Sequence, residues 1–535
     1  MSNATEHFQY LTHNVVEDAL GWKLCAYLVA LEGWRRGLTL KWYKAESDKS
    51  DIETLGMNPH GKIFSLSAND KTHFYFRSRG DEVSNKAVEI CNNKEKTKTV
   101  LSNAGVPVPK GKLFRKNTLN DAMITYAKNI GFPVVLKPTN GSMGRGVYSN
   151  IQDEKELRNA IENLRKERYS NYIIEKYFPG KEYRIYVVGD KVIGAINRIP
   201  ANVVGNGQSS FKELIEKKNT ERLKNPYLCK KPIKIDYEIK KMLENEGYTL
   251  DSIPSEGEVV YLREKSNLSS GGDPLDATNE LTDEVKKIAV ESLKAIPELP
   301  HAGVDVIVDP ESAKRGTTIE INPTAEIGFH LFPLEGNPRD VPSAIIDYYF
   351  PETINKEKTN FYFDLKSVLE PLRTRSVDEV TVTQPPIGYK YGKKYTVYGK
   401  VQKKGYMNWI RLQALKSGMI GYAKTISDGR IEVAVISKVQ NDVNEFKKVC
   451  LKGSKKSKVE KVMEQDWELD SPLKIGFEII SASNTSTKRT ESKRAKQEVN
   501  TQINKTSPEN VSEYDGKRAI RNIVRKIIKR EGKNN

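Results

Sequence analysis

Cysteine is scarce and scattered in this chain. The four residues, Cys25, Cys91, Cys229 and Cys450, form no C-x-x-C pair and no metal-ligand spacing, which fits reduced thiols in a cytoplasm. Long apolar runs are missing too: none could span a bilayer, and the opening MSNATEHFQY has neither a basic nor an apolar signal region. A cytoplasmic protein is therefore expected. There is no zinc motif and no basic groove interleaved with aromatics, so no nucleic-acid site stands out. Nor does the G-x-x-x-x-G-K-[ST] spacing of a P-loop occur.

Charge is plentiful. Charged residues make up 29% of the 535 and hydrophobic residues 37%, as in a polar protein of two to four domains. Roughly half of the net charge of +17 comes from the last few dozen residues, so basicity describes the tail more than the globular body.

The segment VVLKPTNGSMGRGV, Val134 to Val147, is the most informative one. A β-branched run ends in Lys137 and opens onto a loop where Gly141, Gly144 and Gly146 let backbone N–H groups approach phosphate oxygens. Much later, Glu320 and Asn322 alternate with Ile319 and Ile321 in TTIEINP, which puts both oxygen donors on one face of a strand. Asp305, in the apolar HAGVDVIVD, adds a third oxygen on a second strand. An all-oxygen set of this kind suits Mg²⁺ bridging nucleotide phosphates.

Together these motifs resemble the ATP-grasp superfamily, in particular the carboxylate–amine ligases related to cyanophycin synthetase and to the ligase half of bifunctional glutathione synthetases. NNKEKTKTVLSNAGVPVPKG, YIIEKYFPGKEYRIYVVGDKVIGAINRIPANVVGNG and HLFPLEGNPRDVPSAIIDYYFP carry the likeness in the right order. The resemblance implies ATP and two Mg²⁺ ions, with Mn²⁺ an acceptable substitute. It places Lys98 and Lys137 on the phosphates, Glu175 beside the adenine and Glu182 at the ribose. Arg184 and Arg198 would lie near the γ-phosphate and an acyl phosphate, Arg263 near the acyl substrate, and Asp305, Glu320 and Asn322 on the metal. Two departures, Asn206 in Gly-Asn-Gly and the PTAEIG that follows Asn322 and carries Glu326, bear on the identity of the amino substrate.

The implied reaction joins a small carboxylate, an amino acid or peptide, to an amine. A carboxylate is a poor electrophile until phosphorylated, and fixed cations stabilise the charge that builds on the transferring phosphoryl group.

Along the chain, residues 1–92 read as a leading α/β domain, with AYLVALEGWRRGLTLKWY as helix then strand and Gly37 as the break. Residues 93–353 read as two α+β lobes clamping ATP, with helices at NDAMITYAKNI and EKELRNAIENLRKE and a helical, exposed insertion from Ser209 to Glu258. Residues 354–392 read as a linker. From 393 to 481 a ferredoxin-like βαββαβ domain is expected, with LKIGFEII as its last strand.

That domain resembles acylphosphatase. Against the family's pattern, Lys403 and Lys404 replace small residues of the phosphate loop, Met407 stands in the arginine's place and Thr425 in the asparagine's. A thioether cannot replace a guanidinium fork, so little or no acyl phosphate hydrolysis is expected. Residues 482–512 read as disordered, and 513–535 as a basic amphipathic helix able to lie on an anionic membrane, a partner or a sister subunit. Two rival readings are an acylphosphatase, alone or combined with the ligase, and a non-catalytic nucleotide-binding module with a basic anchor.

Overall fold

The computed structural model describes residues 8–45, 51–54, 57–139, 146–167, 169, 171–426 and 429–480. Two compact units emerge: residues 1–391 with 468–476, and residues 392–467 with those from 477 onward. The predicted disordered stretch 482–512 and basic helix 513–535 lie outside the described residues, as do Gly141 and Gly144. Among the described residues no helix is long and apolar enough to cross a membrane.

In the first unit, helix Leu24–Arg35 is buried along its whole length, and Gly37 takes a φ of +90° at the predicted break. Strand Thr39–Tyr43 follows and pairs antiparallel with Ile63–Ala68. Gly33 lets the helix lie close: a Cβ there would come within 2.4 Å of Leu66 Cδ1. Residues 354–392 are not a linker. Strand Glu379–Thr381 completes this sheet beside Thr39–Tyr43, Trp34 Nε1 donates to Thr383 O at 2.7 Å, and helix Leu365–Arg373 buries Leu365, Leu369 and Leu372. The segment is too polar and too short in its elements to look structured alone. Its folding comes from an edge supplied more than 300 residues earlier.

A four-stranded antiparallel sheet follows, ordered Gly111–Arg115, Asn171–Lys176, Val134–Pro138, Tyr148–Ile151. The two predicted helices, Asn120–Ile130 and Glu154–Lys166, cover one face with Met123, Ile124, Leu157, Ile161 and Leu164. Asp153 caps the second helix by accepting from Glu156 N at 2.8 Å, and the first turn is acidic and the last basic, as the helix dipole favours.

The third sheet positions the site. Its antiparallel order is Asp273–Asp276, Lys191–Ile199, Lys181–Val188, His301–Val308, Gly316–Asn322. One face sends Tyr183, Ile185, Val187, Val304, Val306 and Ile321 into a core with helix Asp283–Ala295. Each fully buried aliphatic chain there stabilises by about 1.5–3 kcal/mol. Alternation sends Glu182, Arg184, Asp305, Glu320 and Asn322 to the opposite face.

The 209–258 insertion is helical, over Phe211–Arg222 and Tyr237–Asn245, but it is not simply exposed. Phe211, Leu214, Ile215, Ile239 and Leu243 close a core of their own with Val203, Val260 and Leu262.

The second unit has the sheet order Lys458–Asp466, Tyr391–Lys400, Ile431–Ser437, Ile420–Thr425, Phe477–Ile480, with helices Tyr406–Lys416 and Gln440–Lys452. The strand that follows the second helix is Lys458–Asp466, rather than LKIGFEII. Only Val462 along it is buried, so its polar sequence hides it. Phe477–Ile480 instead adds a fifth strand parallel to Ile420–Thr425.

Candidate functional site

Lys137 and Glu175 lie on neighbouring strands of the four-stranded sheet, where Val135 faces Glu175, so the two side chains share a face. Lys137 Nζ stands 2.6 Å from Glu175 Oε2, and Lys98 Nζ, from helix Lys94–Asn103, stands 3.5 Å from Glu175 Oε1. Gly111 makes room: a Cβ there would lie 2.5 Å from Glu175 Cγ and 2.8 Å from Lys98 Nζ. Two half-buried ammonium groups around one carboxylate leave a net positive charge facing a cleft. Thr318 and Ile319 also line this cleft, so it runs from both lysines to the strand that continues into Glu320 and Asn322. Gly146, the one described glycine of the predicted loop trio, has a φ of +68°, a backbone that favours glycine.

On the third sheet, register sets the second cluster. Asp305 lies opposite Arg184 on one side and Glu320 on the other, while Asn322 lies opposite Gly303. Arg184 grips Asp305 with both ends of its fork, Nε to Oδ1 and Nη2 to Oδ2 at 2.7 Å. Arg198 Nη2 reaches the same Oδ2 at 3.3 Å and also pairs with Glu182. Burial alone would raise the Asp305 carboxyl, but the two guanidiniums outweigh it and hold the group below the usual carboxylate range. Gly303 leaves space for the Arg184 stem, since a Cβ there would lie 2.9 Å from Arg184 Cδ.

A divalent cation fits this donor set. Asp305, Glu320 and Asn322 share one sheet face, and Asn322 Nδ2 is buried with no partner. Turning that amide over presents Oδ1 in its place. Among the described residues no group of three or more His, Cys, Asp and Glu is placed to hold a metal ion, and the predicted set draws its third donor from the Asn322 amide.

Arg263 stands apart. Its guanidinium pairs with Asp236 at 2.6 Å and with Glu238, and donates to Ser270 O at 3.1 Å and Lys234 O at 3.2 Å. Three residues on, Ser266 Oγ reaches Glu182 Oε2 at 3.5 Å, so the loop that Arg263 braces touches the site while Arg263 is occupied elsewhere.

Residues 91–212 match the RimK-like ATP-grasp domain family. This part of the chain has the ATP-grasp fold. Cyanophycin synthetase of Trichormus variabilis is 36% identical over 272 residues, 49% of this chain and 30% of the relative. The glutathione biosynthesis bifunctional protein GshAB of Clostridium perfringens is 36% identical over 269 residues, 49% of this chain and 34% of its own. The chain thus spans about a third of the length of these curated relatives. The crystal structure of a bifunctional glutathione synthetase from Pasteurella multocida is similar at 28% identity and a TM-score of 0.44, covering 56% of this chain and 41% of that one. Behind the ATP-grasp domain, residues 393–479 match the acylphosphatase family.

In the acylphosphatase-like unit, Met407 and Thr425 do meet. Thr425 Oγ1 lies 3.8 Å from Met407 Sδ, across the loop where Gln402 Nε2 donates to Gly429 O at 2.7 Å. The positions that the resemblance assigns to arginine and asparagine are neighbours in space, filled by a thioether and a hydroxyl. Sequence reading found Glu326 but not the groups around it. Tyr227 OH donates to Glu326, Lys231 Nζ lies 2.9 Å from it and Arg77 Nη2 3.7 Å. Those three are isolated in sequence, and no local pattern marks them.

Proposed function

We propose that the protein is an ATP-dependent, ADP-forming ligase that joins the carboxylate of an amino acid or peptide to an amine through an acyl phosphate. One observation carries this reading: Lys98 and Lys137 share a cleft with the strand leading to Glu320 and Asn322, beside the Arg184 and Arg198 pair on Asp305. ATP lies in that cleft, its phosphates drawn by the two ammonium groups, with Glu175 fixing both lysines and Glu182 at the ribose. The substrate carboxylate forms a bond to the γ-phosphorus as the bond to the bridging oxygen breaks and ADP leaves. The amine then forms the C–N bond, phosphate departs with the C–O electrons, and the amine's proton leaves to solvent.

Charge builds on the phosphoryl oxygens in the first step. Arg184 and Arg198 are already oriented by Asp305, so stabilising that charge costs little reorganisation. Mg²⁺, when bound by Asp305, Glu320 and Asn322, supplies further charge neutralisation at the phosphates. Because Arg184 takes both Asp305 oxygens, Glu320 and Asn322 are the freer donors. Arg263 is a positioning residue for the 262–270 loop rather than a group on the acyl substrate.

The Met407 and Thr425 contact argues against hydrolysis of acyl phosphates by the second unit. Such an activity would destroy the intermediate of the ligase. To test the reading, ADP release and product masses are measured with a mixture of amino acids. Amino-acid-dependent ADP that vanishes in Glu320→Ala is expected. Phosphate release from added acyl phosphates alone, or nucleotide binding without turnover, would overturn it.

A further inference from the structure

The turn that holds Arg77 and Ser78, between strands Lys71–Phe76 and Arg79–Gly80, lies against the segment that follows Asn322. Ser78 Oγ donates to Ala325 O at 2.6 Å. Arg77 takes a φ of +60°, which a non-glycine residue rarely adopts and which clusters at functional sites. It is only 6% exposed, yet its guanidinium is poorly satisfied. Nε is buried without a partner, Nη1 reaches Thr324 O only at 3.4 Å and Met57 Sδ at 3.9 Å, and the nearest carboxylate oxygen, Glu326 Oε1, is 3.7 Å away. A buried fork of five N–H donors suits a carboxylate, and among the described residues Glu326, at 3.7 Å, is the one carboxylate that approaches it, too far for a hydrogen bond.

Facing it, Lys231 Nζ sits 3.4 Å above the Tyr227 ring and 2.9 Å from Glu326 Oε2. The Lys231 and Glu326 side chains keep 19% and 26% of their surface exposed, so the cluster opens to solvent. Trp22, 64% exposed, lies over Arg77 with 5.9 Å from the guanidinium carbon to the ring centre. The cluster also adjoins the reacting side of the ATP-grasp domain: a Cβ on Gly303 would be 2.9 Å from both Ala325 Cβ and Arg184 Cδ.

We propose that Arg77, Lys231 and Glu326 form the subsite for the amine-bearing substrate, and that this substrate is a free amino acid whose carboxylate pairs with Arg77 and Lys231 and whose ammonium is held by Glu326. The proposal rests on the ligase reading above and adds a substrate class to it. A carboxylate completes the unfilled fork of Arg77. Glu326 Oε2 is taken by Tyr227 and Lys231, and Oε1, with Arg77 no nearer than 3.7 Å, remains for the group of opposite charge. A substrate lacking the carboxylate leaves two cations to share Glu326 alone, and a site built for a charged group discriminates strongly against its absence.

Hydroxylamine tests the two layers separately, since it intercepts an acyl phosphate as a hydroxamate without using an amino-acid subsite. Full-length protein is incubated with ATP, Mg²⁺ and, as the acid, each of the twenty amino acids or a mixture of short peptides. Hydroxamate is then compared with product formed from the fastest amino-acid acceptor and from that acceptor's α-carboxamide. Wild type should prefer the free acid at least tenfold in KM. Arg77→Met and Lys231→Met should raise the KM for the free acid at least tenfold and erase the preference, with a much smaller change in hydroxamate formation. Glu326→Gln should raise both KM values. Should Arg77→Met fail to fold, Lys231→Met, which puts an apolar chain of similar length in place of the lysine, carries the test. A preference that survives these substitutions, or a loss of hydroxamate in step with a loss of product, overturns the subsite. Hydroxamate from no acid at all overturns the ligase reading and the subsite with it.

Discussion

The charged face of the third sheet and the loop after strand Tyr391–Lys400 make an instructive pair. Arg184 and Arg198 of the first, and the whole of the second, lie in segments that match known domain families, and each region brings together positions that the resemblance selects. In the first, those positions hold Arg184, Arg198, Asp305, Glu320 and Asn322, and both arginines are ion-paired with Asp305. In the second they hold Met407 and Thr425, which touch with no charge between them. The backbone and core of a fold depend on buried residues such as Ile185, Val304 and Val433, whereas its chemistry depends on a few side chains on the other face. One can be kept while the other is lost.

Breaking the charged side of this comparison should have the largest effect. Asp305→Ala leaves Arg184 without its carboxylate and Arg198 with Glu182 alone, and removing one partner of a buried ion pair costs about 3–5 kcal/mol. Urea denaturation should show a loss of that size, with ADP release at background. Glu320→Gln keeps the size of the side chain and removes its charge. ADP release should fall by about a hundredfold or more, the scale of one lost electrostatic contact to the transition state, while the denaturation midpoint stays close to wild type.

Restoring the other side comes next. Met407→Arg with Thr425→Asn returns a guanidinium and an amide to neighbouring positions, and hydrolysis of benzoyl phosphate should rise about tenfold or more above wild type. No gain would refute the assignment of those two positions.

Acid should also separate the units. His301 and His330 are buried in the first unit, and burial, with the positive charge of Arg79 for one and Arg184 for the other, pushes each imidazole down to about 3. The unfolded chain takes up these protons near pH 6.5, so stability is full above that value and falls as the pH drops toward 3. The lowered carboxyls of Asp305 and Glu326 add a further loss as the pH falls through the carboxylate range. Residues 392–535 contain no histidine. Calorimetry between pH 7 and 4 should therefore show one transition shifting down and another holding, with His301→Gln flattening the first. If both transitions shift alike, this account is wrong.

The smallest effect is expected at Arg263. Arg263→Lys loses the fork that spans Asp236 and Glu238, so stability should fall by about 1–2 kcal/mol with little change in the KM for ATP. A collapse of activity without loss of stability would return Arg263 to the acyl substrate.

Strand alternation made much of this legible beforehand. Ile319 and Ile321 against Glu320 and Asn322, and the helices at Asn120–Ile130 and Glu154–Lys166, could be read directly, because period and capping are local properties. What escaped notice had no local signature. Glu379–Thr381 is a strand only because Thr39–Tyr43 offers it an edge, and Lys458–Asp466 is a strand despite burying one side chain along its length. The insertion looked exposed because the partners of its apolar stripe, Val203 and Val260, lie outside it.

By itself the sequence determined which residue types were available for phosphate, metal and carboxylate chemistry, and on which face of a strand each would fall. Only the tertiary structure decided which of them meet. Register set Asp305 between Arg184 and Glu320, while packing drew Arg263 away to Asp236 and Glu238 and gathered Arg77, Lys231 and Glu326 from three distant stretches. The reason is physical: alternation is fixed by the covalent backbone, whereas an ion pair depends on distances that only packing determines.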